Sequence, residues 1–300
     1  MRPTVSFEVY PPRTPAGAAA AWETLTRLAA AAPDFFSVTY GASGSSRDAS
    51  RAVIRRILAE TTVTPIAHLT CVAASRAELT DLVEDLLDDG VRDFLALRGD
   101  PPAGQAEWVP RPDGLNRAGE LVALIREVER RRFGGRGAVS VAVAAYPAGR
   151  SHTRAQDVQA LRAKQDAGAD FAITQVFYDA ADYVDLVADA RAAGITLPVV
   201  AGIIPATDPA RLTRLAALTG VPVPAVLGDL LAVDDAEERH RRGIAATVDL
   251  VEAVLAAGAP GLHLYTFNQY RPALDVVERL RRPTPSAART TALARPIPTV

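Results

Sequence analysis

The 300-residue chain contains one cysteine, Cys71, one lysine, Lys164, and four histidines. A lone cysteine excludes an internal disulfide framework and any zinc site built on a cysteine cluster. His68, His152, His240 and His263 are scattered along the sequence, which argues against the clustered ligands of a barrel metallohydrolase, so no metal is expected. Lys164 falls inside a segment of helical period, whereas a Schiff-base aldolase needs its lysine at a strand end. GxSxG and GxGxxG turns are both absent. No apolar run approaches membrane length and no signal-type segment is found, so a cytoplasmic location is the expectation. The 33 basic and 35 acidic groups are interspersed, giving a formal charge of −2 and no basic face for nucleic acid or an anionic membrane.

What is present is an alternation. Short apolar or β-branched runs near 5–10, 35–39, 65–70, 93–97, 138–145, 171–175, 198–202 and 261–266 read as strands. Segments of helical period follow them near 16–31, 46–60, 74–88, 116–132, 155–167, 180–193, 208–218 and 271–281. Ser75 with Glu78 forms a capping box, and Gly90, Gly168 and Gly194 are stop signals. Eight βα units in this length predict an α/β fold of the (β/α)8 TIM-barrel type rather than an open sheet. Two further helices, near 224–231 and 236–257, are expected before the last strand. The barrel is expected to occupy 1–282 as a single domain, and 283–300, rich in Pro, Ala and Thr without periodicity, reads as a disordered tail.

In such a barrel, ligands bind at the C-terminal ends of the strands. Arg98-Gly99-Asp100-Pro101-Pro102 ends the fourth strand there, either as a structural Arg–Asp pair closing a loop or as a ligand-facing carboxylate. Glu8, flanked by Phe7 and Val9, is either a general acid with a raised pKa or a buried acid paired with an arginine. Thr39-Tyr40-Gly41, His68, Thr70, Tyr146, Gln175, Tyr265 and Asn268 supply further polar groups at strand ends. The residues alone describe a polar pocket with one or two carboxylates, suited to a heteroaromatic substrate and proton transfer.

Six ordered segments, SFEVYPPRT, FFSVTYGASGSSRD, AHLTC, LALRGDPP, KQDAGADFAITQ and LHLYTFNQ, resemble the signatures of the 5,10-methylenetetrahydrofolate reductase family over about 5–281. The resemblance implies reduction of 5,10-methylenetetrahydrofolate by NADH or NADPH. It makes Glu8 the general acid and Asp100 a second catalytic carboxylate, and assigns Asp100, Gln175 and Tyr265 to the folate. Thr39, His68, Tyr146, Asp157 and Lys164 fall on the cofactor side. The family ordinarily carries FAD, but the departures cluster on that side. Arg117 replaces a tyrosine, and the YPEGHPEA segment reads Tyr146-Pro-Ala148-Gly-Arg150-Ser151-His152-Thr153. Ala160 and Ala163 replace polar FAD contacts, and Gln269 replaces an arginine. The expectation is an enzyme that binds FAD poorly or not at all and transfers hydride directly. The same reaction through bound FAD by a ping-pong route is one alternative, and a non-catalytic folate-binding protein is another. NADH versus NADPH and the oligomeric state are left open.

Overall fold

A computed structural model describes residues 2–12, 14–39, 45–100, 111–149 and 152–281. Tyr40, Gly41, Pro101, Pro102, Arg150, Ser151 and the expected tail at 283–300 lie outside the described residues.

Eight parallel strands close on themselves in sequence order: β1 (Thr4–Val9), β2 (Phe35–Val38), β3 (Thr64–Thr70), β4 (Asp93–Leu97), β5 (Ser140–Ala145), β6 (Phe171–Thr174), β7 (Val199–Ile203) and β8 (Gly261–Tyr265). The last strand pairs with the first, Ser6 beside His263 and Glu8 beside Tyr265. Around the barrel run α1 (Ala18–Ala29), α2 (Ser45–Glu60), α3 (Arg76–Asp88), α4 (Ala118–Phe133), α5 (Arg154–Asp166), α6 (Ala180–Ala192) and α7 (Pro209–Thr219), with α10 (Tyr270–Arg281) after β8. The expected insertion before β8 is present as α8 (Ala225–Leu231) and α9 (Ala236–Ala256). Every expected element is found, with ends displaced by one to a few residues. No described helix is long and apolar enough to cross a membrane.

The two-residue period of each strand sorts its side chains. Phe7 and Val9, Phe36 and Val38, and Ala67 and Leu69 face outward and join the helices in the main core. Ile66, Leu95, Ala142, Ile173 and Val200 face inward and form a separate apolar cluster inside the barrel. Burying each such aliphatic side chain contributes about 1.5–3 kcal/mol, which is why the inward polar residues stand out as a cost. Helix ends follow the local chemistry. Ser75 Oγ accepts from Glu78 N at 3.1 Å while Ser75 N donates to Glu78 Oε2 at 2.7 Å, and the φ of +95° at Gly90 ends the turn after α3. A second box, Thr153 with Gln156, starts α5.

The N-terminal face of the barrel is braced by a buried ionic cluster. Arg126 donates to Glu129 Oε2 at 2.7 Å, to Val139 O at 2.8 Å and to Gly168 O at 2.9 Å, and also pairs with Asp170. Glu129 Oε1 accepts from the backbone N–H of Gly137 and Val139. Burial alone would raise the Glu129 pKa, but Arg126 and these N–H groups carry it below the usual carboxylate value.

Candidate active site

At the opposite, C-terminal face, Glu8 points into the barrel from β1 and is 7% exposed. Its backbone carbonyl accepts from Thr266 Oγ1 at 2.6 Å, which ties it to the end of β8. No arginine pairs with its carboxyl among the described residues; the Tyr10 hydroxyl is the polar group set against it. Burial pushes the carboxyl up to about 7, against the opposing effect of the Tyr10 hydroxyl.

His68 Nε2, from β3, lies 3.9 Å from Glu8 Oε2. This contact is not an ion pair at neutral pH, because burial pushes the imidazole down to about 3. The Nε2 atom is buried and makes no hydrogen bond with the described residues. One layer below, His263 Nδ1 meets Ser6 Oγ at 2.8 Å and Nε2 meets Ser37 Oγ at 3.1 Å. Ser6 spends its only hydroxyl proton on Leu262 O at 2.9 Å, so His263 Nδ1 carries the hydrogen and Nε2 accepts from Ser37. That assigns a neutral ring, consistent with burial and then His68 pushing its pKa down to about 3. The histidines that look scattered in sequence are therefore partly corrected by topology, since His68 and His263 converge inside the barrel. His152 and His240 do not join them. No cluster of His, Cys, Asp and Glu among the described residues could hold a metal ion.

Above this floor opens a cavity of about 660 Å³, a size suited to a small organic ligand. Glu8, Tyr10, His68, Asp100, Tyr146, Asp157, Gln175 and Tyr265 all line it. Asp100, exposed just past β4, and Gln175, just past β6, flank the wall across the barrel from β1. Gln175 Oε1 accepts from Val176 N at 2.9 Å, leaving its NH2 as the end that donates. Tyr265 commits its hydroxyl to Thr174 O at 2.7 Å and so offers a ring face rather than a hydrogen bond. That contact depends on Gly202, where a Cβ would fall 2.0 Å from Thr174 O and 2.9 Å from the Tyr265 hydroxyl.

The α5 side of the mouth differs. Lys164, 8% exposed, donates to Ala144 O at 2.7 Å and lies 5.4 Å from the Tyr146 ring centroid. Burial lowers its pKa to about 8 despite Asp157. Asp157 is raised by burial, with His152 3.5 Å away opposing. Lys164 therefore stands behind the lining, and Thr39 also lies outside it, with its carbonyl accepting from Ser50 Oγ at 2.8 Å. Ala160 and Ala163 are exposed on α5, and Gln269 accepts from Arg211 at 3.0 Å.

Tyr10, Ser6, Ser37 and His263 were not singled out as site residues by the sequence. Parity was the available signal, since Ser6, Glu8 and Tyr10 alternate on one strand and His263 occupies the inward register of another.

The model of the family described as methylenetetrahydrofolate reductase matches residues 1–281. The 5,10-methylenetetrahydrofolate reductase of Pectobacterium carotovorum subsp. carotovorum is 35% identical over 274 residues, covering 89% of this chain and 87% of that protein. The Escherichia coli (strain K12) protein of the same name is 35% identical over 271 residues, covering 88% and 86%. Methylenetetrahydrofolate reductase (NADH) 1 of Zea mays is 32% identical over 294 residues, which is 93% of this chain but 48% of the plant protein. Among solved structures, a Clostridium thermocellum protein that binds two copies of 5-methyl-5,6,7,8-tetrahydrofolic acid superposes with a TM-score of 0.61 at 14% identity, covering 93% of this chain and 95% of that one. At that identity it shares the barrel fold and nothing further is carried by it. The family model spans every strand of the barrel and the bacterial relatives match nearly end to end, so this chain belongs to the methylenetetrahydrofolate reductase family.

Proposed function

We propose that the chain reduces 5,10-methylenetetrahydrofolate to 5-methyltetrahydrofolate with NADH or NADPH, that Glu8 is the general acid, and that hydride passes directly from nicotinamide to folate. The observation that carries this reading is Glu8 itself. It is a buried carboxyl on the floor of the mouth cavity, with a pKa near 7, able to hold a proton at neutral pH and to release it. Binding alone has less need of such a group, which favours an enzyme over a folate-binding protein.

On this substrate Glu8 delivers its proton to N10, the N10–methylene bond breaks, and an iminium forms at N5. Hydride from the nicotinamide C4 then adds to the methylene carbon, giving the N5 methyl group and oxidised nicotinamide, and Glu8 regains a proton from water. Asp100 and the Gln175 amide suit the hydrogen-bonding edge of the pterin, and the Asp100 charge favours the cationic intermediate. The name of the maize relative supports a nicotinamide donor.

FAD fits this site poorly. Lys164 directs its ammonium inward to Ala144 O, and α5 presents methyl groups at Ala160 and Ala163. Loss of contacts each worth on the order of 1 kcal/mol weakens a ligand many-fold. The test pairs a spectrum with kinetics. Purified protein incubated with excess FAD and desalted should show no flavin absorption yet reduce the folate, with intersecting initial-velocity lines that mark a ternary complex. A retained flavin band with parallel lines would sink direct transfer.

A further inference from the structure

Tyr10 stands two residues beyond Glu8, on the same inward side of β1, where the strand meets the mouth. Its backbone is held from both sides by one side chain. Tyr10 N donates to Asn268 Oδ1 at 2.8 Å, and Asn268 Nδ2 donates to Tyr10 O at 2.9 Å. Asn268 N in turn donates to Thr266 Oγ1 at 3.1 Å, the hydroxyl that reaches the Glu8 carbonyl. The turn that delivers this clasp is strained, for Phe267 and Asn268 both have left-handed backbone, at φ +50° and +54°. Such conformations are strained and persist where surrounding structure imposes them. Here the Phe267 ring stacks on the Tyr10 ring at 5.7 Å and 28°, with the Arg211 guanidinium 5.1 Å from the Phe267 centroid.

Clasp and stack account for the backbone and ring of Tyr10, and a phenylalanine would satisfy both. They leave the hydroxyl unexplained, and Tyr10 shares the cavity lining with Glu8, with its hydroxyl set against the carboxyl. We propose that Tyr10 is the positioning residue of the general acid: fixed by Asn268 and Phe267, its hydroxyl donates to the Glu8 carboxyl and steadies the carboxylate that forms when the proton leaves. This rests on the reading of Glu8 given above. Tyr10 keeps its own proton throughout, because burial and then the neighbouring Glu8 hold the phenol far above its usual range. The interaction is stronger with the carboxylate than with the acid, so it lowers the barrier instead of merely tightening the ground state.

The other titratable groups facing this pair stay silent near neutral pH. His68 from β3 and His263 from β8 are neutral, and Tyr265 from β8 is buried and protonated; the guanidinium of Arg211 from α7 is the cation beside Tyr10. Lys164, lowered to about 8, stands behind the lining on the α5 side, so a shift that Tyr10→Phe produces in the limb near pH 7 reports on Glu8.

Turnover of the full-length chain with methylenetetrahydrofolate and NADH or NADPH, followed across about pH 5.5 to 9 in Tyr10→Phe and Glu8→Gln, tests the assignment. Tyr10→Phe keeps the ring, stack and clasp. Its falling limb should move up by about one pH unit, because the carboxylate has lost a donor. Its kcat on the low-pH plateau should fall about tenfold with KM for the folate within about twofold. A limb and plateau unchanged from the parent overturn the proposal, and so does a change confined to KM. Asn268→Gly keeps the left-handed backbone but cuts the clasp. It should lower kcat in the Tyr10 parent and much less in Tyr10→Phe, whereas equal losses in both would count against the clasp acting through the hydroxyl. If Glu8→Gln turns over normally, the acid assignment itself fails and takes Tyr10 with it. An inactive Glu8→Gln beside an unaltered Tyr10→Phe defeats Tyr10 alone.

Discussion

The two ends of the barrel bury charge in opposite ways. At the N-terminal face, Arg126, Glu129 and Asp170 are paired with one another and with backbone groups, and Glu129 is held ionised. At the mouth, Glu8, His68, His263 and Lys164 are just as deeply buried, yet each is pushed toward its neutral form. The difference is what surrounds them. A charge enclosed with an opposite charge and several N–H donors keeps its ionisation, whereas one enclosed without them is drawn toward neutrality, as far as about 7 for Glu8 and about 8 for Lys164. The first arrangement makes a foundation, and the second makes a group whose proton can be moved.

The largest effect expected from breaking this contrast is at the mouth. Glu8→Gln should lower turnover by about 10³- to 10⁴-fold while leaving folate affinity within a few-fold, as measured by stopped-flow turnover and equilibrium binding. The matching change at the other end is Arg126→Met, which strands Glu129 without its partner. Urea denaturation should show a loss of about 3 to 5 kcal/mol, with kcat per folded molecule unchanged. An equal loss of kcat would mean that the two ends are not separable. A smaller effect concerns Glu8 and stability. Below pH 4.5, the ordinary glutamate value, the acid is protonated in both folded and unfolded chains and costs nothing. As pH rises from 4.5 to about 7 the unfolded chain ionises first, so folding loses stability, by about 3 kcal/mol once both states have ionised. Glu8→Gln should therefore be more stable than the parent at pH 8 and nearly equal to it at pH 4. A stability gain that is the same at both pH values would show that the raised pKa is not the cause.

Much of this was legible in the chain. The alternation of Phe7, Glu8 and Val9 marked an inward acid on an otherwise apolar strand, and Ser75 with Glu78 marked a helix start, because both signals lie within a few neighbouring residues. The barrel followed from repeating such signals eight times. What escaped were pairings made only by closure. Tyr10 meets Asn268 across 258 positions, and Ser37 meets His263 across 226. No local pattern encodes these, although strand parity narrows the candidates. Lys164 shows the same limit in another form. Its place on α5 was clear from the helical period, but not that its ammonium would reach inward to the end of β5.

The pairing of β8 with β1 also sets when the acid comes into being. Glu8 and Tyr10 leave the ribosome 258 positions ahead of Thr266 and Asn268, which lock them. Until that final strand docks, Glu8 is solvated and titrates as an ordinary glutamate. A chain that ends before β8 lacks the strand that flanks Glu8 and the groups that lock it, and so lacks the buried acid. The proton affinity of one side chain becomes a record of whether the whole ring of strands has shut.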